Sequence, residues 1–137
     1  TQTWRRRTCT SCNKGFTTRE KIDWSGQITV REDKQVTPYS RDRLLLSVVR
    51  ASEDAMLAPE MVTELVDSIE IALQSAFTAQ AGIETTTITK TATAILSRHN
   101  THVALRYVQH VYNNKPPLEL VRQLMAEDKN RTSKLSF

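Results

Sequence analysis

The chain is poor in the residues that most often carry chemistry or punctuate a fold. Its 137 residues include two cysteines, three glycines, four prolines and three histidines. None of the glycines belongs to a loop of the kind that cradles phosphates, which needs several of them closely spaced. Two cysteines cannot build the disulfide framework of a small secreted domain, and this favours a reducing, cytoplasmic setting. No apolar run approaches the ~18 residues needed to cross a bilayer, and nothing resembles a signal peptide. No His/Glu metal helix appears, and no Ser or Cys nucleophile sits near a plausible base. The expectation is a non-enzyme with no membrane partner.

What is present is unevenly distributed. Residues 1–21 carry six basic residues (Arg5, Arg6, Arg7, Lys14, Arg19 and Lys21) against Glu20 alone, a net +5. The whole chain is +4, so the remaining residues sum to −1. The basic character therefore belongs to a small first module and not to the body. Such a patch suits contact with nucleic-acid phosphates, and a solvated basic terminus is the bland alternative. Trp4 beside it can pack on the module or stack on a base. The length allows one ordinary domain, or a small module plus a domain of about 100 residues.

Both cysteines lie in the basic module, as Cys9-Thr10-Ser11-Cys12. A Cys-x-x-Cys turn lets two thiolates point at one tetrahedral zinc, and Gly15 suits the tight backbone after it. A structural zinc takes four ligands, so Cys9 and Cys12 form a half site. His99, His102 and His110 lie far away in helical-looking sequence. A redox pair or two unreactive thiols are the alternatives, although a redox motif should open a helix after a strand. The sequence starts at Thr1 and not at Met, and an upstream segment bearing a second pair is expected.

The character changes near residue 22. Gln27–Arg31 and Gln35–Thr37 read as two short strands around the polar turn Glu32-Asp33-Lys34. Pro38 ends this hairpin, and Ser40 is a plausible cap for a helix that carries Leu44, Leu45, Val48 and Val49. A second helix opens after Pro59 and ends near Gly82; a third starts at Thr85 and a fourth near Asn100. A short fifth follows the break from Asn113 to Pro117, and the tail from Lys129 is expected to fray. The third helix is unusual, with six threonines among the nine residues from Thr85 to Thr93. Most of the apolar residues on these helices read simply as core.

In this order the parts resemble a known family. The run Arg5-Arg6-Arg7, the Cys9/Cys12 pair and Gly15-Phe16-Thr17-Thr18-Arg19-Glu20 resemble the second half of the zinc ribbon in the NrdR family, bacterial repressors of ribonucleotide reductase genes. Thr29-Val30-Arg31-Glu32-Asp33-Lys34 and Pro38-Tyr39-Ser40-Arg41-Asp42-Arg43-Leu44 resemble the opening of an ATP-cone, the nucleotide-sensing domain that follows the ribbon there. The resemblance covers residues 4 to about 112. It implies a mainly helical α+β fold: partial zinc ribbon and linker at 1–24, ATP-cone at 25–127 and a tail at 128–137.

The resemblance also implies partners and sites. ATP or dATP would be held by Val30, Arg31, Lys34, Arg43, Thr85, Ile88 and Tyr112, with Arg31 and Arg43 on the phosphates and Ile88 on the base side. Double-stranded DNA in reductase promoter boxes would meet Arg5, Arg6, Arg7, Lys14 and Arg19, in a homo-oligomer selected by the nucleotide. Zinc would use Cys9 and Cys12. The chain departs from the family at Glu32, in place of a basic residue, at Lys34, in place of a turn glycine, and at Thr37, in place of an acid. The fourth-helix pattern becomes Leu105-Arg106-Tyr107-Val108, while Val111-Tyr112 keeps the family's ending. The competing readings are a detached cone that acts through protein contacts, and a scaffold that only assembles chains.

Overall fold

In the computed structural model, which describes residues 3–79, 82–113 and 115–135, the basic module is a two-stranded antiparallel hairpin. Strand β1 (Thr3–Thr8) pairs with β2 (Gly15–Glu20), so that Trp4 faces Arg19 and Arg7 faces Phe16. Strands β3 (Thr29–Glu32) and β4 (Gln35–Pro38) form the second hairpin, as the sequence predicts. Asp33 takes the left-handed conformation its turn requires, with φ 52°; aspartate tolerates this better than most residues.

The helices follow the expected punctuation. Helix α1 (Arg41–Ser52) is capped by the Ser40 side chain, which accepts from the Arg43 amide at 3.4 Å. A single 3-10 turn, Glu53–Ala55, leads towards α2 (Pro59–Ala79). Proline at the first helical position costs nothing, because that N–H has no partner inside the helix. Helix α3 (Thr85–His99) hands over to α4 (Thr101–Val111) at Asn100, whose side chain accepts from the His102 and Val103 amides at 2.9 and 3.2 Å. Helix α5 (Leu118–Leu135) continues through residue 128, where a tail was expected.

One element has no counterpart in the sequence reading. Residues Gly82–Glu84 form β5, which pairs in parallel with β3 and completes a three-stranded sheet of order β4-β3-β5. Ile83 is buried in that pairing. The second helix accordingly stops before Gly82.

Helices α1 to α4 pack in a ring, each against its neighbours, while α5 leans on α4. Val48, Val66, Ile69, Leu73, Leu96, Val103 and Val108 fill the interior. Fully burying one such side chain contributes roughly 1.5–3 kcal/mol. The threonine-rich face of α3 joins this core without orphaned hydroxyls. Thr89 Oγ1 donates to the Thr85 carbonyl at 3.1 Å and Thr93 Oγ1 to the Thr89 carbonyl at 2.6 Å. Each hydroxyl thus bonds the carbonyl one turn back, which lets threonine occupy buried helical positions.

A polar cluster ties the linker and the sheet to α2. Arg41 donates through Nη1 to Glu70 and through Nη2 to Asp67 Oδ1 at 2.7 Å. Glu70 Oε2 accepts from the buried Tyr39 hydroxyl at 2.8 Å, and Asp67 also meets Lys21 Nζ at 3.1 Å. Burial works against the Arg41 charge, but Asp67 and Glu70 outweigh it and its pKa lies above the ordinary arginine value. Phe77 closes the region, with the Trp24 and Tyr39 rings at centroid distances of 5.2 and 5.1 Å. Removing the guanidinium strands a buried carboxylate. Arg41→Ala should therefore lower stability by about 2–3 kcal/mol in urea unfolding, several times the effect of Arg50→Ala on the exposed side of α1.

Candidate functional site

The concave surface on which four of the seven expected nucleotide residues converge lies between the β3–β4 hairpin and helices α1, α3 and α4. It is a cleft of about 290 Å³. Val30, Leu44, Ile88, Tyr107 and Val111 make an apolar wall, and Thr37, Ser40, Ser47, Thr85 and Thr89 supply hydroxyls. Its charged residues are Arg43 and Glu32. A flat heterocycle could lie on such a wall with polar groups at the rim, which is how small-molecule sites are usually built.

Strand alternation decides which hairpin residues reach the cleft. Val30 and Glu32 share one face with Thr37, directly opposite Val30 in the ladder. Arg31 leaves the other face, beside Glu84 of β5, and its Nε meets Glu84 Oε1 at 3.2 Å. Of the seven expected residues, Val30, Arg43, Thr85 and Ile88 line the cleft, whereas Arg31, Lys34 and Tyr112 do not. Lys34 is exposed at the hairpin turn, and Tyr112 ends α4, its amide donating back to the Val108 carbonyl at 3.1 Å. Thr85 also has a structural role, since its hydroxyl donates to the Arg31 carbonyl at 3.1 Å and stitches α3 to β3.

Several lining residues escaped the sequence reading. Ser47 lies one turn beyond Arg43, Thr89 one turn beyond Thr85, and Val111 one turn beyond Tyr107, so helical spacing alone could have found them. Tyr107 is deeply placed, and burial, with Tyr112 nearby, pushes its phenol up to about 12.

The amino-terminal hairpin is the second candidate surface. It exposes nearly all its side chains and pairs mainly with itself. At its tip the Cys9 amide donates to the Lys14 carbonyl and the Asn13 amide to the Cys9 carbonyl, both at 2.9 Å, with Asn13 at φ 58°. The backbone N–H groups of Cys12 and Ser11, and the Cys12 side chain, hold the Cys9 thiol below its ordinary pKa. A turn that favours the thiolate fits a metal ligand. Among the described residues, however, no three His, Cys, Asp or Glu side chains gather where they could hold a metal, so Cys9 and Cys12 fit half of a zinc site. Also among the described residues, no helix is long and apolar enough to cross a membrane.

Comparison with known proteins sharpens this picture. No family model matches the chain. Proteins named transcriptional repressor NrdR do match: that of Symbiobacterium thermophilum is 38% identical over 71 residues, 52% of this chain and 47% of that protein. The repressor of Alkaliphilus oremlandii is 42% identical over 66 residues, 48% of this chain and 43% of that protein. That of Acetivibrio thermocellus is 38% identical over 66 residues, 48% of this chain and 44% of its own length. Over about half its length the chain is similar to NrdR repressors. It spans about half the length of the curated NrdR proteins it matches.

The Tyr107 environment makes a testable statement about the cleft. An unfolded tyrosine titrates near 10, so the folded chain holds this proton more tightly. The stability it supplies is complete below about pH 10 and is lost as pH rises towards about 12. Tyr39, raised by burial and then by Glu70, acts in the same direction. Denaturant unfolding across this range should show the alkaline decline, and Tyr107→Phe should make it shallower without abolishing it.

Proposed function

We propose that the chain is a nucleotide-sensing transcriptional repressor of ribonucleotide reductase genes, with ATP or dATP bound in the cleft controlling assembly and DNA binding. The observation that carries this reading is the cleft itself: an apolar wall with hydroxyls and Arg43 at its rim, in a chain similar over half its length to NrdR repressors. The base lies against Ile88 and Val30, and the ribose meets the hydroxyls. The guanidinium of Arg43 takes phosphate oxygens through its planar fork. Since Arg43 and Glu32 cancel formally, a triphosphate enters as its magnesium complex.

The amino-terminal hairpin contributes the DNA contact. Cys9 and Cys12 would hold half the coordination sphere of a zinc that stiffens its tip. A bound nucleotide can shift DNA affinity only if it binds one assembly of chains better than another. Four observations support the scheme together: the similarity to NrdR repressors, the +5 module, the cleft, and the Lys21–Asp67 contact joining the two parts.

Calorimetric titration should show micromolar binding of ATP or dATP that requires magnesium. Arg43→Ala should weaken it at least tenfold, the loss of one charge-assisted contact of about 1.5–3 kcal/mol. A gel shift on reductase promoter DNA should then change with the nucleotide added. Binding to neither nucleotide would remove the sensor role, and nucleotide binding without any DNA shift would favour a cone acting through protein contacts.

A further inference from the structure

The arginine run that reads as one basic patch in sequence is divided by the hairpin's register. Successive side chains of a strand leave opposite faces. Trp4 and Arg6 therefore share a face with their cross-strand partners Arg19 and Thr17. Arg5 and Arg7 share the other face with Thr18 and Phe16, and Glu20 stands there opposite Thr3. Five basic residues expected on DNA cannot all meet one duplex from a single flat surface.

The two faces differ in charge, shape and polarity. The Trp4 face holds two cations and no carboxylate, whereas the other carries Glu20 on the same face as its two arginines, one pair along from Arg5. On the Trp4 face the guanidiniums lie flat. Arg19 stacks 4.0 Å above the centre of the Trp4 ring, and Arg6 Nη1 donates to Thr17 Oγ1 at 3.3 Å. Arg6 also lies across Gly15, where a Cβ would come within 2.5 Å of its Nη2, so a larger residue there would lift it. Trp4 is 56% exposed. The opposite face presents the apolar ring of Phe16, 43% exposed, directly across from Arg7.

We infer that the Trp4–Arg6–Arg19 face, and not the Arg5–Arg7 face, is the surface that meets the phosphates of double-stranded DNA. This rests on the proposed reading of the hairpin as a nucleic-acid element. A guanidinium already held in place loses less rotamer freedom when it takes a phosphate. Neutral hydroxyl and ring partners hold Arg6 and Arg19 without cancelling their charge; Thr18 Oγ1 holds Arg7 likewise at 3.2 Å, but on that far side Glu20 opposes phosphate approach. Trp4 acts as the positioning residue for Arg19.

The test is fluorescence anisotropy of a labelled mixed-sequence duplex with the full chain over a series of salt concentrations. Circular dichroism would verify that each variant folds, as these side chains lie outside the core. The double variant Arg6→Ala/Arg19→Ala should lower the salt slope by about two and weaken binding at least tenfold. Arg5→Ala/Arg7→Ala should leave the slope within about half a unit. Arg6→Lys/Arg19→Lys should keep most of the slope, because it preserves the charges. An equal or larger loss in the Arg5/Arg7 variant would overturn the assignment. If the unaltered chain binds no duplex even at low salt, the nucleic-acid reading itself fails and this inference with it.

Discussion

The contact on which the rest of the molecule depends is the grip of Arg41 on the carboxylates of Asp67 and Glu70. Arg41 is the first residue of α1 and follows directly on the chain that lines the cleft, Pro38 to Ser40. Asp67 and Glu70 stand three residues apart on α2 and so face the same way. One guanidinium thus fixes where α1 begins relative to α2, and with it the angle of the β3–β4 hairpin over the core. A planar fork bonded to two carboxylates holds that geometry more firmly than apolar packing, which tolerates sliding. Glu70 also holds the Tyr39 hydroxyl, and Asp67 holds Lys21, the residue after the basic hairpin. The wall of the cleft and the root of the hairpin are therefore tied to neighbouring carboxylates on one helix.

This arrangement gives the proposed regulation a physical route. A ligand that presses on the β4–α1 junction acts on Tyr39 and Ser40, both in the cleft wall and next to Arg41. Any displacement of Arg41 is felt at Asp67, and Lys21 shares that carboxylate. The coupling needs no long chain of intermediates, because one side chain bonds both carboxylates. The cleft's near-neutral lining separates it from sites that hold triphosphates by positive charge alone, and Glu32 is the residue responsible.

Much of this architecture could be read from the residues. Ser40, Pro59, Thr85 and Asn100 marked helix starts because capping chemistry is local and leaves its signature within a few positions. Strand β5 escaped because three residues carry too little periodicity, and its pairing with β3 is set by contacts far apart in sequence. Arg31 illustrates a different limit. A motif places a residue along the chain, but the parity of the strand places its side chain, and parity put Arg31 beside Glu84. Arg43, Thr85 and Ile88 sit on helices whose faces could be counted, and these the cleft does bring together. The same parity divided the arginine run of the first strand. Tyr107 was read as core, and it is core and cleft at once.

The central claim is that an adenine nucleotide occupies the cleft between the β3–β4 hairpin and helices α1, α3 and α4. The most direct measurement is amide chemical-shift mapping during titration with magnesium and dATP. The account predicts that the largest shifts gather at Val30, Thr37, Ser40, Arg43, Ile88 and Tyr107, with smaller ones at Lys21 through the Asp67 contact. Shifts confined to the amino-terminal hairpin, or centred on Arg31 and Glu84 across the sheet, would contradict it.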